Sequence, residues 1–313
     1  MVSVAQSTQA KTGGGFRRRL RLAWMRNDWL RGYALLSPTL LFMLGLLGAP
    51  LLALIVLSFW TQRDFTLDTT FTLDNYANFF DYPHSPIYIV LLWRSILMSA
   101  TATAAVTLLA YPVAYFLAFR VKQHKLIWII LITVPFWISY LLRIFAWKVI
   151  LGFNGVINSG LIALGLIGKP LEFLLYNPTA VTITLAHAWA AYAILPIYVS
   201  LEKIDRSLLE AATDLGDGPV KRFLRVTLPL SAPGTIAAVL LVFIPTVGDY
   251  VTPTLVGGTS GIMIGNVIQS LFGKASNAPL GAAVSIAMIG VVTLLVCALL
   301  SAIGYRRIKA REI

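Results

Sequence analysis

The polar stretch at residues 201–231, LEKIDRSLLEAATDLGDGPVKRFLRVTLPLS, lies between two long apolar runs and constrains the fold more than any other part of the chain. A charged segment between membrane-length runs must lie in water. Ser207 stands three residues before Glu210, the spacing at which the two side chains cap each other's free backbone N–H groups; Asp205 is the competing cap. Leu208, Ala211, Ala212 and Leu215 follow at i, i+3, i+4 and i+7 and predict a short helix with one narrow apolar stripe in need of a partner. Gly216 and Gly218 permit the left-handed turn that ends such a helix, and Pro219 has no N–H to lose at the next helical start. A second short helix carries Lys221, Arg222, Phe223 and Arg225, with Pro229 and Pro233 expected to stop it.

The whole chain has 313 residues, of which 58% are hydrophobic and 12% charged, and its mean hydropathy is +0.80. A soluble domain carries about 25% charged residues, so this composition indicates a membrane protein. The net charge of +12 does not indicate nucleic-acid binding, because the basic residues flank apolar runs and do not form a basic fold between them. Cys297, the single cysteine, lies within an apolar run and excludes both an internal disulfide and a cysteine metal site.

Charge and hydropathy predict an all-α architecture of six transmembrane helices. Residues 1–33 form a basic tail in which Lys11, Arg17, Arg18, Arg19, Arg21, Arg26 and Arg31 face one acid, Asp28, and this places it in the cytoplasm. The first span, Ala34 to Trp60, exceeds a signal-peptide core and is read as retained. Residues 61–86 hold Asp64, Asp68, Asp74 and Asp81 against Arg63, and belong outside. The second span starts between Ile87 and Ser95 and ends at Phe119; Arg120, Lys122 and Lys125 return it inside. Span three runs from Leu126 to Leu151 with a bend at Pro135, and span four from Pro178 to Ser200 with an interruption at Pro196. The loop after it holds five bases and five acids, a balance that suits a surface covered by a protein partner. Span five covers Gly234 to Val256, residues 257–279 form a re-entrant segment, a surface helix or a loop, and span six runs from Leu280 to Tyr305. Residues 34–305 thus form one six-span domain, and the tail at 306–313 carries Arg306, Arg307, Lys309 and Arg311, so both termini are expected in the cytoplasm.

The chain has no phosphate-cradling G-x-x-x-x-G-K-[ST] loop, and the sequence GGTSGIMIG from residue 257 lacks the lysine. Any ATP must bind another chain, and no cofactor or metal is expected here. His84, His124 and His187 lie in different segments without metal-ligand spacing. Ionisable groups within apolar runs are the exceptions that need a partner or a role. Arg143 lies about 25 Å along span three and Asp249 about 23 Å along span five, so the two form an ion pair or Asp249 contacts a substrate, with Lys148 as another partner for the acid. Phe136, Tyr140, Arg143 and Trp147 recur at i, i+4, i+7 and i+11, a stripe that either packs helices or lines a passage. Aromatic faces attract organic ammonium groups, which makes Trp137, Tyr140, Trp189, Tyr192 and Tyr250 candidates for lining a cation's path.

Glu210-Ala211-Ala212, Gly216 six residues after the glutamate, and Val226-Thr227-Leu228-Pro229 together resemble the EAA loop of ATP-binding-cassette importer permeases. In that family the first helix of the loop docks into a cleft on a cytoplasmic ATPase. The resemblance implies that Glu210, Ala211, Ala212, Leu215 and Gly216 couple the chain to that subunit. Pro135-Phe136-Trp137, Arg143-Ile144-Phe145-Ala146-Trp147, Gly248-Asp249-Tyr250-Val251-Thr252-Pro253 and Pro279-Leu280-Gly281-Ala282-Ala283 are similar to segments of spermidine/putrescine-type permeases. Permeases for ferric iron, phosphonates, thiamine or opines share parts of these segments. The resemblance implies two cytoplasmic ATPase subunits, a second permease subunit of different sequence and a periplasmic substrate-binding protein, all at the bacterial inner membrane. A self-sufficient channel or ion-coupled carrier needs driving charges within its own spans, and Arg143 and Asp249 are few for that. A membrane-embedded enzyme lacks a convergent nucleophile, base or metal cluster.

Overall fold

The computed structural model describes residues 28–63, 66–81 and 85–309. Lys11, Arg17 to Arg26, Asp64, Phe65, His84 and Arg311 lie outside the described residues. The chain divides into two units, residues 1–56 and 57–313.

The first unit is built on α1 (Asp28–Leu57), which is apolar on all sides and contains Pro38 and Pro50. Pro38 has no N–H to give the Ala34 carbonyl one turn earlier. The Ser37 hydroxyl donates to that carbonyl at 2.8 Å instead.

The second unit opens with a hairpin, β1 (Thr61–Arg63) and β2 (Thr66–Asp68), paired antiparallel with Thr61 opposite Asp68. The short helix α2 (Asp74–Phe80) is held to the preceding segment by Asn75, whose side-chain amide donates to the Ser58 and Trp60 carbonyls at 2.9 and 2.6 Å. α3 (Ile87–Phe119) is the axis of the unit. Its small residues Ala102, Ala110 and Ala114 are buried, which lets neighbouring backbones approach closely. One core cluster joins α3 to α8 (Ala190–Glu202) and α11 (Leu228–Val247) through Val106, Ala110, Ala114, Leu117, Ile197, Leu201, Ala238 and Val242. A second cluster joins α3 to α5 (Tyr140–Leu151) and α7 (Pro178–Ala188) through Met98, Ala102, Ile144, Leu151, Val181 and Leu185. A third gathers Tyr88, Leu91, Ile264, Leu271 and Leu280 where α3 meets α12 (Ile264–Phe272) and α13 (Ala278–Lys309).

Several span boundaries differ from the sequence expectation, and the carbonyl and N–H groups near prolines and breaks account for them. The stretch expected as span three is two helices, α4 (Lys125–Thr133) and α5, separated by a 3-10 turn at Val134–Trp137 and an extended Ile138. The bend expected at Pro135 is therefore a full break. α5 leads through Gly152 and Gly155 into α6 (Val156–Ala163), so the membrane-length apolar unit here is Tyr140–Ala163. Pro196 does not interrupt span four, since it lies inside α8; the 47° bend falls at Trp189, between α7 and α8. Pro229 and Pro233 do not stop the loop's second helix either. α10 (Pro219–Arg222) passes through a π-turn at Phe223–Thr227 into α11, and the Leu228 N–H reaches back to the Phe223 carbonyl, a wider register into which Pro229 fits. Span five ends at Val247, earlier than Val256, because Gly248 and Asp249 break it before a second π-turn at Pro253–Gly257. The segment expected as re-entrant, surface helix or loop contains α12, whose start is fixed by the Ile264 N–H donating to Ser95 Oγ at 2.7 Å. α13 continues through the expected end at Tyr305 to Lys309. Among the described residues five helices are long and apolar enough to cross a membrane, or six if the bent α7–α8 pair is one span.

The contact between α8 and α11 depends on Gly234. A Cβ there would strike the Pro196 carbonyl oxygen and the Ser200 Cβ. Gly234→Ala is expected to cost about 1–3 kcal/mol as an overpacked contact. Gly290→Ala in α13, where a Cβ meets open space, is expected to leave stability unchanged or raise it by up to about 1 kcal/mol. Thermal melts of the two purified variants in detergent would separate them, and equal melting points would contradict this account of the interface.

Candidate functional site

Two regions bring together the residues singled out in the sequence. The first is the polar loop. α9 (Arg206–Asp214) is capped by Asp205, whose carboxylate accepts the Ser207 N–H at 3.0 Å. The reciprocal Ser207–Glu210 cap is therefore not formed, since Ser207 is already inside the helix and Asp205 takes its amide. That donation holds the Asp205 carboxyl below the usual carboxylate range. At the other end Gly216 has φ +87°; its N–H donates to the Thr213 carbonyl at 2.9 Å, and the Asp217 N–H donates to the Ala212 carbonyl at 3.0 Å. This is the paired closure that a left-handed residue makes possible after a helix. The following turn is tied back by Arg222 donating to Thr213 Oγ1 at 2.8 Å and by the Arg225–Asp217 ion pair at 3.2 Å.

Of the stripe read from the sequence, only Ala212 is buried, together with a partly buried Leu209 that packs on the first cluster. Leu208 and Ala211 are exposed, as is Leu215 at 88%, and Glu210 lies beside them in solvent. The inward face of α9 is thus smaller than expected, and Leu208, Ala211 and Leu215 form an uncovered apolar row at i, i+3 and i+7. Where α8 ends, Lys125 and Glu202 pair at 2.6 Å and fix the end of α8 beside α4.

The second region is a cavity of about 420 Å³ lined by residues on both sides of the three breaks. Phe136 and Ile138 come from the break before α5, Ala188 and Trp189 from the break between α7 and α8, and Gly248, Asp249 and Tyr250 from the end of α11. Tyr140, Arg143, Tyr192 and Pro245 complete the wall. Trp137 does not line it and is 80% exposed. The stripe Phe136–Tyr140–Arg143–Trp147 is not on one continuous helix, yet its first three members still meet in the cavity because the break re-aims Phe136. Trp147 instead donates its Nε1–H to His187 Nδ1 at 2.9 Å.

Asp249 and Arg143 both line this cavity without pairing to one another; the described ion pairs are elsewhere. Asp249 Oδ1 accepts the Val251 N–H at 2.9 Å and the Thr252 N–H at 3.5 Å, while Oδ2 accepts the Tyr140 and Thr252 hydroxyls at 2.6 and 2.5 Å. Such a carboxylate caps the turn that follows it and has its acceptor directions filled. Arg143 donates to the Ala188 carbonyl at 2.8 Å, to Ile138 at 3.1 Å and to Phe136 at 3.3 Å, with its guanidinium carbon 4.7 Å from the centre of the Phe136 ring. Each of these carbonyls lies where a helix stops and leaves it without an N–H partner. Lys148 does not replace Arg143 as the acid's partner; it lies over the Phe145 ring at 5.7 Å.

Sequence reasoning assigned no role to Thr252, Gly248 or Asn266. Asn266 donates to the Tyr250 carbonyl at 2.9 Å and to Thr254 Oγ1 at 2.8 Å, so α12 holds one edge of the cavity. A Cβ on Gly265 would lie 2.5 Å from the Gly248 carbonyl oxygen. The only local signal for these residues is the run of turn formers after Val247.

The family described as binding-protein-dependent transport system inner membrane component matches residues 22–312. The spermidine/putrescine transport system permease protein PotB of Haemophilus influenzae is 39% identical over 225 residues, 72% of this chain and 77% of that protein. PotB of Escherichia coli is 39% identical over 240 residues, 76% of this chain and 86% of that one. The inner membrane ABC transporter permease protein YdcU of Escherichia coli is 32% identical over 275 residues, covering 83% and 85%. A crystal structure of a bacterial ABC transporter involved in the import of the acidic polysaccharide alginate aligns with a TM-score of 0.68 at 18% identity, covering 92% of this chain and 99% of that one. The same type of transporter, in complex with an alginate pentasaccharide-bound periplasmic protein, aligns at 0.67. At that identity the two structures establish the fold alone, and the family follows from the sequence match: this chain belongs to the binding-protein-dependent transport system inner membrane components.

Proposed function

We propose that this permease subunit moves polyamines such as putrescine and spermidine inward across the bacterial inner membrane. The observation that carries the substrate class is the identity of 38–39% to relatives named as spermidine/putrescine permeases. The cavity agrees with it, since Tyr140, Trp189, Tyr192 and Tyr250 offer aromatic surface to an organic ammonium, at about 0.5–2 kcal/mol per contact. Family membership makes the chain a transport subunit and not an enzyme, with ATP hydrolysed elsewhere. Two ATPase subunits, a second permease subunit and a periplasmic binding protein complete the machine in this reading. Residues 34–305 form the permease domain, and the basic segments at 1–33 and 306–313 lie in the cytoplasm. Asp249 acts through the turn it caps more than by direct contact with cargo, because its oxygens already have four donors.

The coupling surface in this proposal is α9. Its uncovered row of Leu208, Ala211 and Leu215, with Glu210 beside it, fits a cleft on an ATPase, and Gly216 sets the angle at which the helix is presented.

Three measurements test the reading. In proteoliposomes holding the complete complex, radiolabelled putrescine and spermidine should be taken up, with ferric iron and an opine failing to compete; uptake of neither polyamine would remove the substrate class. Gly216→Val forces a β-branched residue into a left-handed conformation, at about 1–2 kcal/mol. With no neighbour for its side chain to strike, the subunit should assemble yet lose most binding-protein-stimulated ATP hydrolysis. Wild-type stimulation by that variant would count against α9 as the coupling helix. Finally, with Cys297→Ala as background, an impermeant thiol reagent applied to spheroplasts should label Thr70→Cys and spare Thr8→Cys; the reverse pattern would overturn the orientation.

A further inference from the structure

We infer that Arg143 is a positioning residue for transport: it fastens the end of α7, at the bend from which α8 starts, to the break before α5, so that the cavity wall moves with that bend. The inference rests on the permease reading above and adds a residue whose role is mechanical.

The geometry at the two breaks carries the argument. A helix that stops leaves its last carbonyls without N–H partners of its own, and they need another donor. Ala188 is the last residue of α7, while Phe136 and Ile138 flank the break before α5. Their three carbonyls converge on one guanidinium, at 2.8, 3.3 and 3.1 Å. One nitrogen, Nη1, holds the Ala188 carbonyl, and the other, Nη2, holds Phe136 and Ile138, so the planar fork spans the two breaks. The Phe136 ring 4.7 Å away supports the cation's face. A positive charge is also the favoured partner for the negative end of a helix, and here two such ends share one charge.

Each break connects to the rest of the machine through a rigid element. α8 runs from the break at Trp189 to Glu202, about 20 Å at 1.5 Å per residue, and α9 begins at Arg206. α8 is packed on both α3 and α11, so a displacement of α9 reaches Trp189 with little loss along the way. On the far side of Arg143, α5 begins with Tyr140, which donates to Asp249. A movement at the loop therefore reaches the bend at Trp189 along α8, and Arg143 and Tyr140, one turn apart on α5, join that bend to the capped turn at Asp249. Ala188 stands one residue before the bend, and the Trp189 ring lies 6.2 Å from that of Tyr140, so the fork and this ring contact together tie the bend to the wall around Phe136, Ile138 and Tyr140; without the fork the ring contact alone holds it.

The test compares Arg143→Gln and Arg143→Lys with the wild type in the complete reconstituted complex. Lysine keeps the charge on a single nitrogen and cannot place two nitrogens at the two breaks. Removing a charged hydrogen-bond donor to these carbonyls should lower putrescine uptake per ATP hydrolysed about tenfold in Arg143→Gln, with Arg143→Lys recovering part of it. A second readout needs no cargo. Tyr192→Cys in a Cys297→Ala background should change its thiol-labelling rate when ATP is trapped in the complex, and Arg143→Gln should abolish that change. An unaltered ratio of uptake to hydrolysis with the labelling change intact would overturn the inference. So would equal loss of hydrolysis and uptake, or failure of both variants to assemble, since either makes Arg143 a residue of folding alone. A wild-type complex that moves no polyamine yet shows the Arg143-dependent labelling change would count against the cargo and in favour of the clamp.

Discussion

Every helix that stops leaves backbone groups that the helix itself cannot pair, and the second unit of this protein is arranged around that constraint. Three helical runs stop near one place: before α5, between α7 and α8, and after α11. At the first two the free groups are carbonyls, and a cation is the side chain that serves them. At the third the free groups are the N–H groups of the following turn, and a carboxylate serves those. Arg143 and Asp249 are thus the complementary answers to opposite ends of interrupted helices. The cavity is the space that the interruptions leave between them.

Four prolines in the chain meet the same constraint in four different ways. Pro38 leaves a carbonyl that the neighbouring Ser37 hydroxyl takes over. Pro229 falls next to a π-turn whose wider register accommodates it. Pro196 stays inside α8 with no break. Pro135 coincides with a break in the expected span, and the Phe136 and Ile138 carbonyls just after it are taken by the guanidinium of Arg143.

The architecture was largely legible from the sequence because long apolar runs and flanking bases have few alternative explanations. Gly216 was legible for a similar reason, since a glycine after a capped amphipathic segment has one common conformation. The internal breaks were not. Proline marks a lost N–H wherever it stands, so Pro135 and Pro196 look equivalent in a sequence, whereas the break at Trp189 carries no proline at all. The partners of Arg143 and Asp249 were illegible for a further reason. Similar depth in two spans suggests an ion pair, but backbone carbonyls and N–H groups are present at every position and leave no mark in the sequence when they compete for a side chain.

The filled coordination of Asp249 also bears on residence time. A passage must attract its occupant enough to admit it and release it fast enough to admit the next. A bare carboxylate in the cavity wall would be a deep well for an ammonium ion. Four donors on its two oxygens make that well shallow, while the aromatic faces around it remain weakly attractive and broadly spread. In the pathway proposed above, the arrangement favours brief visits over tight binding.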